Sequence, residues 1–101
     1  MSDTKWLQGY MINKDKIRSE LTYPDNEAVL VSNWMEIVSE VKLDYLVLTA
    51  FPPDKREAVT VIVLVEDYDR EQLESTLPTE IPKNLYRFRE YLIPGVFERV
   101  F

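Results

Sequence analysis

The sequence predicts an α+β domain in which a small antiparallel sheet carries helices on one face. Three observations predict it. Residues 43–51 and 58–65 are two apolar runs rich in Val, Leu and Ile, which crowd a helix but sit well on a pleated surface. The segment between them, FPPDKRE, is a turn by its chemistry: Pro52 and Pro53 cannot donate to a strand ladder, and Asp54, Lys55 and Arg56 favour water. Before this hairpin, residues 27–41 repeat apolar side chains at helical spacing. All 101 residues belong to one domain with one modest core.

Taken in order, residues 5–12 fit a strand, with Trp6, Tyr10 and Ile12 on one face and Leu7, Gly9 and Met11 on the other. The same stretch also fits the start of a helix running to Leu21, but Gly9 there costs about 1 kcal/mol relative to Ala. A strand followed by a short helix over residues 14–21, capped by Asn13, is preferred. Pro24 then breaks the chain, and Asp25 or Asn26 can cap the helix of residues 27–41. Its inward stripe is Leu30, Trp34, Ile37, Val38 and Val41; Val31 and Met35 widen it, which predicts more than one neighbour. Asp69 and Gln72 form a capping pair for a short helix over residues 70–76, with Leu73 inward. Pro78 and Pro82 bracket a loop, residues 83–91 form a further helical piece with Leu85, Phe88 and Leu92 on one side, and the terminal VFERVF gives a last strand. The resulting order is β-α-β-β-α-β, the ferredoxin-like arrangement. A central hairpin flanked by helices is the alternative, if the N-terminal stretch is helical.

Both faces of the hairpin are apolar. Val59, Val61, Val63 and Val65 alternate with Ala58, Thr60, Ile62 and Leu64. A strand with one face in water would alternate with polar residues, so each side needs a cover, and a second copy or a partner is the expected cover for the side without helices.

Composition narrows the chemistry. The chain has no cysteine and no histidine, which excludes disulfides, thiol nucleophiles and any histidine base or ligand within it. No catalytic residue, metal or cofactor is expected. The N-terminus lacks a signal-peptide layout and no apolar run reaches membrane-spanning length, so a cytoplasmic protein without membrane contact is expected. The formal net charge is −6, and residues 22–80 set four cationic side chains against thirteen carboxylates. Such a body repels a phosphate backbone, making nucleic acid an unlikely partner; it serves as a solvated surface or as a face for a basic partner.

Four groups of residues merit attention. Glu66, Asp67, Asp69 and Glu71 cluster where a magnesium ion could sit, but acids at a helix start also cap and complement its dipole, which is the simpler account. Asp54, Lys55, Arg56 and Glu57 form a charged hairpin tip, a candidate partner contact as well as an ordinary solvated turn. Lys83, Arg87, Arg89 and Arg99 lie among Tyr86, Phe88 and Tyr91, a composition suited to anions or single strands, and equally to core packing with surface ion pairs. Trp6, Tyr10, Trp34 and Tyr45 could line a pocket or fill a core or dimer interface. The function expected from these features is binding another protein, as a regulator, adaptor or inhibitor. The alternative is a homodimeric α+β barrel that encloses a small molecule or acts as a minor enzyme through Tyr10, Tyr45, Asp44 or arginines.

Overall fold

Strand β1 (Trp6–Ile12) settles the ambiguous N-terminal stretch, and in the computed structural model it is a central strand, paired antiparallel with β3 (Val59–Asp67) and β4 (Leu92–Arg99). The structure describes residues 4–53 and 57–100. Between the strands lie α1 (Lys14–Ser19), α2 (Glu27–Val41), α3 (Arg70–Ser75) and a 3₁₀ helix (Lys83–Tyr91); β2 (Leu46–Phe51) completes the sheet. No helix among the described residues is long and apolar enough to cross a membrane.

Local chemistry starts each α-helix. The side-chain oxygens of Asn13, Asn26 and Asp69 accept hydrogen bonds from the backbone N–H groups of Lys16, Val29 and Gln72 at 3.2, 3.2 and 3.1 Å. Each satisfies a donor that the first turn leaves orphaned. Residues 83–91 are helical as expected but wind as a 3₁₀ helix, whose three residues per turn put Leu85, Phe88 and Tyr91 on one side. Tyr91 thus packs on the core from the helix, and Leu92, expected there too, already belongs to β4.

The hairpin forms as expected, with Leu46 opposite Val63 and Ala50 opposite Val59. The sheet does not stay open. Its strands neighbour one another in the order β1-β3-β2-β4 and close, because Ala50 and Phe51 at the end of β2 pair with Arg99 and Glu98 of β4. A four-stranded antiparallel sheet with helices is therefore present, bent into a barrel.

That closure answers the two-faced hairpin. On the outer face Tyr10, Ile12, Ile62 and Leu92 are buried together with Ile17 of α1, Leu30, Ile37, Val38 and Val41 of α2, and Leu85 of the 3₁₀ helix. On the inner face Leu7, Ala50, Val61, Val63 and Phe97 are buried against one another. The second face is covered by the curvature of its own sheet, not by a second copy or a partner.

The bend has a backbone cause. The two glycines of the chain, Gly9 and Gly95, sit directly opposite each other on β1 and β4. A Cβ on Gly9 would lie 1.9 Å from the carbonyl oxygen of Ile62 in β3, inside any contact distance. At the same place the β1–β3 register slips, so that Gln8 faces Val65 and Gly9 faces Val63, leaving Leu64 as the extra residue of a bulge. Bulges and strand glycines are the usual devices for bending a sheet toward closure. Across the pair, the ring of Phe97 covers Gly95, 3.1 Å from where its Cβ would be. The inner core is thus filled where the backbone has room.

Candidate interaction surface

Of the charged tip, Asp54, Lys55 and Arg56 lie outside the described residues. Glu57 is exposed just before β3.

The carboxylate cluster is occupied with structural work. Glu66 receives Lys5 at 3.1 Å and Arg99 at 3.3 Å, tying β3 to the residue before β1 and to the end of β4. One oxygen of Asp67 accepts the N–H groups of Tyr68 and Asp69 at 2.6 and 3.3 Å, turning the chain out of β3. Asp69 caps α3. No group of three or more acids suited to a metal ion occurs among the described residues.

Three of the four basic residues lie on the 3₁₀ helix and the fourth on β4. Arg99, half-buried, belongs to the Glu66 corner. Arg87 pairs with Glu40 of α2 and lies over the Phe88 ring at 4.6 Å. Arg89 stacks on the Tyr86 ring at 4.3 Å and donates to the Tyr86 carbonyl at 3.1 Å. Lys83 is exposed at the start of the 3₁₀ helix. Phe88 and Tyr91 pack on the outer core, so of the three aromatics of this helix Tyr86 offers the exposed ring.

Three of the four large aromatics belong to the core. Tyr10 is 1% exposed, and Trp34 and Tyr45 pack against the same outer cluster. Burial, with Tyr45 nearby, pushes the Tyr10 hydroxyl above its ordinary value, and that hydroxyl donates to the carbonyl of Glu80 at 3.3 Å. Tyr45 donates to Asn84 at 2.8 Å. Through these two bonds the tyrosines pin the chain at Glu80 and the start of the 3₁₀ helix. Trp6 lies under the Arg70 guanidinium at 4.9 Å.

Gln8 is the buried polar side chain among the described residues, and composition gave it no special place. Its amide donates to the carbonyl of Leu73 at 2.8 Å and to Thr76 Oγ1 at 3.0 Å, fastening the end of α3 to β1. Its alternation with Trp6 and Tyr10 placed it on the helix-covered face; only a partner on α3 could make it buried.

Part of what the surface leaves uncovered is apolar. Val31 and Met35, one turn apart on α2, are 47% and 41% exposed, while Leu30, Ile37, Val38 and Val41 of that helix are buried. Leu43 and Leu46, at the entry to β2, are 83% and 52% exposed. The expected widening of the α2 stripe is thus present, and the helix does meet more than one neighbour, packing on α1, β2 and the 3₁₀ helix while Val31 and Met35 stay half exposed. Elsewhere a cleft of about 480 Å³ opens between Pro52, Pro53 and β4, with Met11, Ile93 and Phe97 in its wall and Glu74 as its charged side chain. It is large enough for a small ligand but supplies few polar groups to orient one.

The fold and these surfaces define a small α+β protein with a closed four-stranded antiparallel sheet and an uncovered apolar flank on its longest helix. Compared with protein-family models, curated proteins and solved structures, the chain matches none.

Proposed function

We propose that the protein is a cytoplasmic interaction domain that acts as a regulator, adaptor or inhibitor by binding another protein. The observation that supports this is the α2 flank. A helix that buries Leu30, Ile37, Val38 and Val41 has no intramolecular need for Val31 and Met35, and long apolar side chains left in water at helical spacing suit a groove on a partner. The acidic body then steers a basic partner, and the Asp54, Lys55, Arg56 and Glu57 tip is a second contact. The strand order supports reading the architecture as a ferredoxin-like arrangement whose outer strands have curled together.

The test is capture of a stoichiometric partner from cell extract, followed by titration of the two purified proteins. Val31→Glu and Met35→Glu are expected to weaken that binding at least tenfold each, or about 1.4 kcal/mol. Binding that survives both substitutions, and is instead lost on reversing Glu57 to Lys, would move the contact to the tip. Survival of all three would remove the reading.

A further inference from the structure

We infer that the free edge of β2 is a self-association site, at which a second copy of this chain adds its own β2 antiparallel. The pairing of β2 with β4 begins only at Ala50, so on the side away from β3 residues 46–49 have no described strand beside them. Backbone donors and acceptors on such an edge are a template for one chemical class of ligand, an extended strand.

The two open edges differ in a way that selects between them. Over residues 92–97, β4 pairs with β1 alone, and there Pro94, opposite Tyr10, has no N–H to offer a further strand. The β2 edge carries no such guard. Leu46, Val47, Leu48 and Thr49 include no proline, glycine or charge. Leu46 is 52% exposed on it, with Leu43 83% exposed just before. Proteins that stay single usually protect an edge of this kind with charge or proline.

A second copy fits because the segment is self-complementary. Antiparallel pairing about a two-fold axis keeps side chains of like parity on the same face, so the axis must fall on a residue. Centring on Leu48 would require Ala50, whose outer side is taken by Arg99. Centring on Val47 uses residues 45–49, setting Leu46 of one copy beside Leu48 of the other and Val47 beside Val47. All of these are uncharged. The edge therefore brings no charge repulsion of its own, and the overall net charge of −6 makes the association strengthen as salt screens the bodies from each other. This inference is independent of the α2 flank.

The experiment is sedimentation equilibrium of the full chain across concentration and salt, with amide hydrogen exchange read under the same conditions. A reversible dimer is expected, tighter at high salt, with the outward amides of residues 45–49 slowed in the dimer. Leu46→Lys and Thr49→Lys, both at exposed positions, are expected to raise the dissociation constant roughly tenfold or more, the first by setting two like charges diagonally across the axis and the second by placing a lysine on the edge beside Tyr45 of the other copy. If Leu46→Lys fails to fold, Thr49→Lys and the wild-type exchange pattern decide. A mass that stays monomeric to millimolar concentration overturns the inference. So does a dimer whose edge amides exchange as fast as in the monomer, or one indifferent to both substitutions.

Discussion

On the outer face of the sheet, Tyr10, Ile12, Ile62 and Leu92 are covered by α1, α2 and the 3₁₀ helix; on the inner face, Leu7, Ala50, Val61 and Phe97 are covered by the bend of the strands themselves. The outer core spreads its burial over ten buried side chains drawn from six elements, so no single residue decides whether it forms. The inner core has five, and exists only if the strands can approach where Gly9 meets Ile62. Coverage by added elements tolerates local change; coverage by curvature hangs on backbone positions.

That contrast is broken or sharpened most strongly at the facing glycines. Gly9→Ala places a methyl 1.9 Å from a backbone oxygen that cannot rotate away, and is expected to cost more than about 4 kcal/mol or to abolish cooperative unfolding in denaturant. Gly95→Ala meets only the far edge of the Phe97 ring at 3.1 Å, and its stability is expected to change by about 1 kcal/mol or less. Equal losses at the two positions would show that closure does not turn on the β1–β3 approach. Next in size, Phe97→Ala empties the inner core and is expected to lose about 3–5 kcal/mol in urea titration. Smaller again, Gln8→Ala leaves the carbonyl of Leu73 without its amide partner, at an expected cost of about 1–3 kcal/mol. Hydrogen exchange should quicken in residues 70–76 first, since that amide is what fastens α3; a uniform rise across the protein would count against it.

The smallest effect lies on the outer surface. The Tyr91 hydroxyl, 2.5 Å away, holds the Glu20 carboxyl below its ordinary value, aided by Lys16 and opposed by partial burial. Because the folded value is lowered, the stability this contact contributes is full above the ordinary carboxyl range and is lost as pH falls through the lowered value. Glu20→Gln is therefore expected to be slightly less stable than the parent at neutral pH and level with it in strong acid. A difference that grows on acidification would contradict the sign.

Elements whose periodicity is local were legible in the sequence. The spacing of Leu30, Ile37, Val38 and Val41 gave α2, and Asn13, Asp69 and the choice of Asp25 or Asn26 marked the helix starts, with Asn26 the cap that forms. The hairpin was legible from its branched residues and its prolines. The double-sided apolarity of β3 was legible too, but not its reason, since a bend depends on Gly9 lying against the Ile62 carbonyl and across from Gly95, residues far apart in sequence. The helical type of residues 83–91 was missed although Leu85, Phe88 and Tyr91 recur at every third position, the period of a 3₁₀ helix. At the candidate surfaces, side-chain type could not tell a free arginine from one already held: Glu40 claims Arg87 and Glu66 claims Arg99 only after α2 and β3 have been brought to them. The exposed flank at Val31 and Met35 was visible as an over-wide stripe, and that both side chains stay only half covered was a tertiary fact.

The position of β1 between β3 and β4 also governs how the protein can be born. Its first neighbour arrives some fifty residues later in synthesis, and its second only when the segment from Leu92 to Arg99 is made. Until then the ribosome holds a hairpin whose inner valines have nowhere to go, because the strand that completes their enclosure has not emerged. Helix α2 can form early, but the barrel cannot close before β4 is available, and until then Leu7, Val61 and Val63 lack their enclosure, the kind of exposed apolar surface that chaperones shield.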